Sequence, residues 1–183
     1  FGLSGIFGGS GLTFWGGAVG GAAGVLLWAW WRKFLSWDLA DMGGIGLAIG
    51  YSIGRIGCQL SGDGDYGRPS DLPWAMAYPD GTVPTTDEVH PTPIYETLSM
   101  GIVAWLLWRW RDRFRPGVIL ALYLLAAGLE RFLVEFVRRN QDAALGLTAP
   151  QLEAAGAFVL GGIVLVIVAR RNGGELRAAP RGA

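Results

Sequence analysis

Cysteine and histidine are almost missing from this chain of 183 residues. The single cysteine, Cys58, excludes an internal disulfide and a cysteine-built metal centre. The single histidine, His90, argues against a zinc site of the usual histidine-containing kind. Charge is scarce as well. Asp, Glu, Lys and Arg are 16% of the residues, and 15 basic side chains cancel 15 acidic ones, so net charge identifies no partner. No signal peptide is legible. The chain starts at Phe1 inside a glycine-rich stretch and reads as a fragment lacking an N-terminal part. What is present is apolar: 51% hydrophobic residues, nine tryptophans and 30 glycines, with a mean hydropathy of +0.36. This composition predicts an integral membrane protein.

A membrane-crossing helix needs roughly 20 mostly apolar residues. Five stretches approach that: 12–31, 36–57, 94–110, 117–137 and 150–169. The expected fold is therefore an all-α, polytopic helix bundle of about five spans. It forms a single transmembrane domain over 1–177, with an outer loop at 58–93 and a tail at 178–183. The second and third stretches also fit a re-entrant or interfacial segment, the second because Asp38 and Asp41 burden its start. Basic residues fall on alternate connections: Arg32 and Lys33, then Arg109, Arg111, Arg113 and Arg115, then Arg170 and Arg171. The positive-inside rule makes these connections cytoplasmic and puts the acidic loop 58–93 outside. Glycines four apart, at Gly16, Gly20 and Gly24 and again at Gly46, Gly50 and Gly54, predict close helix packing.

Some ionisable residues interrupt this apolar background. Arg131 lies about 9 Å inside the fourth stretch at 1.5 Å per residue, a depth that by default marks a function or a buried partner. Glu135 is one turn on, so the two either form a self-neutralising pair or belong to a larger site. Arg55 ends the second stretch between Gly54 and Gly57. With the orientation above, Arg55, Arg131, His90, Glu96 and Trp15 gather at one membrane face, with Arg138 and Arg139 following the fourth stretch there. Arginine's planar fork suits a phosphate, and the flanking glycines are expected to leave backbone N–H groups open to the same anion. An anion transporter is the competing reading. It needs polar residues through the full thickness, whereas the inner halves here, such as Val25 to Trp31 and Val103 to Trp108, are aromatic and aliphatic.

The segments "GRIG", a glycine–acid turn, "YGRPSDLPWAM", "HPTPIYE" and "ERFLVEFVR" follow one another in this chain. In that order they resemble the bacterial phosphatidylglycerol–prolipoprotein diacylglyceryl transferase family. "GLTFWGGAVGG" is similar to a further family segment, and the likeness runs from about residue 10 to 169. The resemblance implies an enzyme of the bacterial cytoplasmic (inner) membrane, multi-pass, with its active site toward the outer face. It implies transfer of the diacylglyceryl group of phosphatidylglycerol to the lipobox cysteine thiol of a prolipoprotein signal peptide, the first step of lipoprotein maturation. Membrane lipids are the expected surroundings; no cofactor, metal or nucleic acid is expected. The family's seven spans imply that two precede this chain. Its two essential arginines match Arg55 and Arg131, as lipid-phosphate ligands with Gly54 and Gly57. Glu135, Asp63, Asp65, Gly67 and Trp15 fall at supporting positions.

The chain also departs from the family pattern. Cys58 stands where "GRxGN" has asparagine, and the turn after it is one residue longer, so that Asp63 and Asp65 compete for one glutamate position. Trp15 replaces the histidine of "HGG", and Ala127 replaces a tyrosine before the second arginine. The thiol base is thereby left without an assigned residue. His90 is one candidate, since imidazole suits proton transfer near neutral pH, and a helix-start cap is its other reading. A non-catalytic phosphatidylglycerol-binding relative is the remaining alternative.

Overall fold

The structure is a computed structural model and describes residues 14–140, 142–144 and 146–178. It is mostly helical, and each of its five helices falls on one of the five apolar stretches: α1 (Phe14–Trp31), α2 (Trp37–Ser61), α3 (Thr92–Trp110), α4 (Val118–Val134) and α5 (Ala149–Arg171). Among the described residues, α5 is the helix long and apolar enough to cross a membrane by length and composition, with a mean hydropathy of 2.4. The chain divides into two units, 1–39 and 40–183.

In the first unit, α1 ends in a turn through Lys33, whose positive φ of 59° reverses the chain. The Phe34 amide then donates to the Ala29 carbonyl at 3.0 Å. Phe34 closes edge-on against Trp28, with ring centroids 5.0 Å apart. Ser36 Oγ accepts from the Leu39 amide at 3.2 Å and so satisfies one of the donors that a helix start leaves orphaned.

In the second unit, Ile45 and Ala48 of α2, Met100, Ala104 and Leu107 of α3, and Ile119 of α4 form the core. Asp41 fixes α2 to the start of α4. Its two oxygens accept from the Gly117 and Leu120 amides, each at 2.8 Å, placing a carboxylate at the positive end of α4. Asp41 is thus a cap, where the sequence shows only a charge burdening a span. Within this unit the α2 glycines Gly46, Gly50 and Gly54 have no neighbour within 4 Å of an added Cβ. Close approach occurs instead at Gly128, where an added Cβ would lie 2.7 Å from the Ala154 carbonyl oxygen. It occurs again at Gly161, 3.0 Å from the Ala121 carbonyl oxygen, so α4 and α5 meet backbone to backbone.

The helices turn many large apolar side chains outward, among them Leu98, Ile102, Trp105 and Trp108 on α3 and Val159, Ile163 and Val166 on α5. Between α2 and α3 lies a small antiparallel pair, β1 (Met76–Tyr78) and β2 (Thr85–Val89), where Tyr66 stacks on Tyr78 at 5.0 Å. A single 3-10 turn (Glu135–Val137) and a second pair, β3 (Asp142–Ala144) with β4 (Leu147–Thr148), join α4 to α5. Thr148 and Gln151 form a reciprocal capping box at the start of α5.

Two expected boundaries shift. α2 continues past Arg55 to Ser61, so Arg55 sits inside the helix rather than at its end, and the connection that follows is shorter than 58–93. Gly54 and Gly57 are interior to the same helix. Their N–H groups belong to the i→i−4 ladder and are not open to an anion, which corrects the sequence reading of both.

Candidate active site

Glu96, in the second turn of α3, has no solvent exposure. A lone buried carboxylate would be severely penalised, and this one is met by three guanidiniums. Arg55 Nε lies 3.2 Å from its Oε2, Arg131 Nη1 3.1 Å from Oε1, and Arg138 Nη1 3.5 Å from Oε2. The Tyr51 hydroxyl donates to Oε1 at 2.8 Å. Tyr51 is one turn before Arg55 on α2, and the Arg55 guanidinium lies 4.9 Å above its ring.

Two further carboxylates complete the cluster. Asp65 bridges Arg55 and Arg138, one oxygen to each. Glu135 lies 3.2 Å from Arg131 Nη2 and accepts from Thr148 Oγ1 at 2.9 Å. The Arg131–Glu135 pair of the sequence therefore exists, as one edge of a larger network. Burial pushes the Asp65 carboxyl up, but Arg138 and Arg55 beside it outweigh this and hold it below the usual carboxylate range. The arginines differ in access. Arg138 is 7% exposed, while Arg55 and Arg131 keep 16% and 21% of their side-chain surface open.

The supporting positions divide. Asp65, and not Asp63, reaches the arginines; Asp63 is exposed and its Oδ1 accepts from the Asp65 amide at 3.2 Å. Gly67 is the junction between the α2–α3 connection and the backbone that follows α4. Its amide donates to the His90 carbonyl at 2.8 Å, and its own carbonyl accepts from Arg139 Nε at 2.8 Å. A Cβ there would lie 2.5 Å from the Val137 carbonyl oxygen, which is why the position needs glycine. Trp15 falls on α1, with its side chain outside the described residues.

His90 is near the cluster in sequence but has other contacts. Its Nδ1 is 3.3 Å from the Tyr95 hydroxyl, which also accepts from Trp74 Nε1 at 2.8 Å. Cys58 Sγ lies 3.8 Å from Arg55 Nη1. Among the described residues, the grouping with metal-ligand atom types is Cys58, Asp63 and Asp65, and both oxygens of Asp65 are already engaged by guanidiniums.

Sequence reasoning left Arg138, Tyr51 and Glu96 without roles. Glu96 carried a signal, as an acid four residues into an apolar helix. Arg138 carried little, since it reads as one of two basic residues after a span.

Two apolar recesses adjoin helix neighbours of these residues. One, of about 580 Å³, is lined by Trp74, Met76, Pro91, Ile94, Tyr95 and Leu98. The other, of about 250 Å³, lies between α4 and α5 at Leu129, Phe132, Phe158 and Val159.

A helical unit with outward apolar side chains and a buried arginine–carboxylate cluster has the make-up of a membrane protein that turns its charges inward. Comparison with known proteins narrows this. Residues 5–168 match the family described as prolipoprotein diacylglyceryl transferase, and the chain belongs to that family. It is 34% identical over 174 residues to the phosphatidylglycerol–prolipoprotein diacylglyceryl transferase of Pasteurella multocida (strain Pm70), covering 91% of this chain and 63% of that protein. It is 36% identical over 171 residues to the protein of the same name from Bordetella avium (strain 197N), covering 88% and 62%. The Rhodospirillum rubrum protein of that name is 35% identical over 173 residues, covering 88% and 61%. The chain thus spans about three fifths of the length of the curated relatives it matches.

Proposed function

We propose that the full-length protein carrying this chain transfers the diacylglyceryl group of phosphatidylglycerol to the lipobox cysteine thiol of a prolipoprotein. The observation that carries this reading is the convergence of Arg55, Arg131 and Arg138 on one buried carboxylate, with Arg55 and Arg131 still partly open. An incoming phosphodiester would compete with Asp65, the most exposed of the bridging carboxylates at 32%, for Arg55. The thiolate sulfur then attacks the glycerol carbon that bears the phosphate. The S–C bond forms, the C–O bond breaks, and its electron pair leaves on the phosphate oxygen as glycerol phosphate departs. Preorganised guanidiniums stabilise that charge as it develops. Arg138, more deeply buried, holds Asp65 and Glu96 in register for the two outer arginines.

The same reading makes residues 1–177 one multi-pass domain of the bacterial inner membrane, with the cluster toward the outer face. The outward apolar side chains of α2 to α5 and the basic connection 109–115 support it. The two recesses suit acyl chains or the apolar part of a signal peptide. The far end of the core, at Ile45, Ala104, Leu107 and Ile119, is apolar, which favours a one-sided site over a transport path.

The test uses the full-length protein in phosphatidylglycerol bilayers with a lipobox peptide, following glycerol phosphate release. Release that depends on peptide and on Arg55 and Arg131 supports the reading. Phosphatidylglycerol binding with no release identifies a non-catalytic relative.

A further inference from the structure

Transfer to a thiol requires that its proton go somewhere, because the thiolate is the nucleophile. Trp15 and Ala127 offer no acceptor at the two positions where the family resemblance places a histidine and a tyrosine. Among the described residues, the His90 ring contacts the Tyr95 hydroxyl and makes no hydrogen bond or ion pair with the arginines or carboxylates of the cluster. Five carboxylates lie in or against the arginine cluster: Asp63 is exposed on the solvent side of Asp65, and three others are held in ion pairs. Glu96 meets three arginines and a tyrosine, and Asp65 bridges two arginines. Glu135 Oε1 accepts from Thr148 and Asn140, and its Oε2, which takes no hydrogen bond, is buried in the ion pair with Arg131.

Glu130 is the exception. It is one residue before Arg131 on α4 and half-buried against α3, where Ser99 Oγ lies 3.3 Å from its Oε1. The same Ser99 hydroxyl is 3.1 Å from the Glu96 carbonyl oxygen, so Glu130 sits about one turn along α3 from the centre of the cluster. Among the described residues, no arginine or lysine nitrogen lies within 4.0 Å of its carboxylate. The charged and titratable groups that face it are Tyr51 and Arg55 from α2, Glu96 from α3, and Arg131 on its own helix. It therefore keeps uncommitted acceptor lone pairs beside the guanidiniums that would hold the phosphate.

We propose that Glu130 is the catalytic base that takes the proton from the lipobox thiol. The inference rests on the transferase reading above. As the S–C bond forms and the C–O bond breaks, the thiol proton moves to a Glu130 carboxylate oxygen. It passes from there to the departing phosphate monoester, which gains an oxyanion in the same step, and Glu130 returns to its ionised form. No oxidant, metal or further reactant is needed.

The test compares the full-length native protein with Glu130→Gln in phosphatidylglycerol bilayers. One lipobox peptide carries cysteine and a second carries selenocysteine, whose selenol is already ionised near neutral pH. A general base contributes about a hundredfold or more. Glu130→Gln should lower transfer to the cysteine peptide by at least about a hundredfold and flatten the acid side of its pH–rate profile. Transfer to the selenocysteine peptide should fall less than about tenfold, with phosphatidylglycerol binding unchanged. Equal losses with both peptides would mark a packing role and overturn the proposal, as would native rates with the cysteine peptide. If native protein transfers to neither peptide, it is the transferase reading that fails. The conservative variant Glu130→Asp, which keeps a carboxylate, should recover part of the rate and the acid limb of the profile.

Discussion

Near its start, α3 carries Glu96, buried without exposure and clasped by Arg55, Arg131 and Arg138. Near its end it carries Arg109 and runs into Arg111 and Arg115, whose partners Asp112 and Glu175 are 54% and 73% exposed. Both ends contain arginine–carboxylate pairs, so pairing alone does not mark a site. Desolvation separates them. A solvated pair contributes roughly 0–1 kcal/mol, whereas removing one partner of a buried pair costs about 3–5 kcal/mol because the other charge stays buried. Charge in the first end has to be justified by packing or by function; in the second end the carboxylates stay solvated, and burial reaches only the Arg115 Nε.

The largest effect expected from breaking this contrast is on chemistry. Arg55→Ala or Arg131→Ala should each lower glycerol phosphate release by about a hundred- to a thousandfold, the loss typical of one preorganised donor at a developing oxyanion. A peptide-transfer assay on membranes of equal protein content checks it.

Stability should follow. Glu96→Ala leaves three guanidiniums without their shared carboxylate and should destabilise the full-length protein by about 3–5 kcal/mol, read by unfolding in detergent. Gly67→Ala should cost about 1–3 kcal/mol, since the added Cβ meets the Val137 carbonyl at 2.5 Å and must push the backbone at Val137 and Arg138 away. Its activity should fall together with its stability.

A pH series sharpens the comparison further. The Asp65 carboxyl is held below the usual carboxylate range in the fold, by Arg138 and Arg55 against the opposing effect of burial. A depressed folded-state pKa gives stability that is full above the unfolded value of about 4 and is lost as pH falls through the folded value. Native protein should therefore lose stability below about pH 4, and Asp65→Asn should flatten that part of the curve. Thermal melts across pH 2.5–6 measure both. The smallest effect belongs to the other end of α3. Arg111→Ala should change stability by less than about 0.5 kcal/mol and leave transfer unchanged.

The helices were legible because apolar runs of nearly the right length cannot be much else, and all five fall where the runs do. Boundaries were less so. α2 continues through polar Gln59 to Ser61, because a helix end is set by local backbone pairing and Gly62, with φ at 54°, and not by where hydrophobicity stops. Arg55, Arg131 and Glu135 were legible as a candidate site because ionisable groups in apolar runs are costly. Asp65 was half legible: composition offers Asp63 and Asp65 equally, and only the turn's geometry turns one of them inward. Arg138 was legible as a basic residue at the same face, but its burial was hidden, because it comes with a bridge to Gly67, 71 residues earlier, which no local pattern reveals. Glycine spacing shows that small residues share a face but not what that face meets; within the second unit the close helix contacts fall at Gly128 and Gly161.

The central claim is that the outer pair, Arg55 and Arg131, forms a phosphate site. Phosphorus NMR of phosphatidylglycerol diluted in neutral-lipid nanodiscs holding the full-length protein tests it most directly. The account predicts a shifted or broadened phosphodiester signal with native protein and with Arg111→Ala, and its loss with Arg55→Ala and with Arg131→Ala. Equal perturbation by all four proteins, or by none, would contradict it.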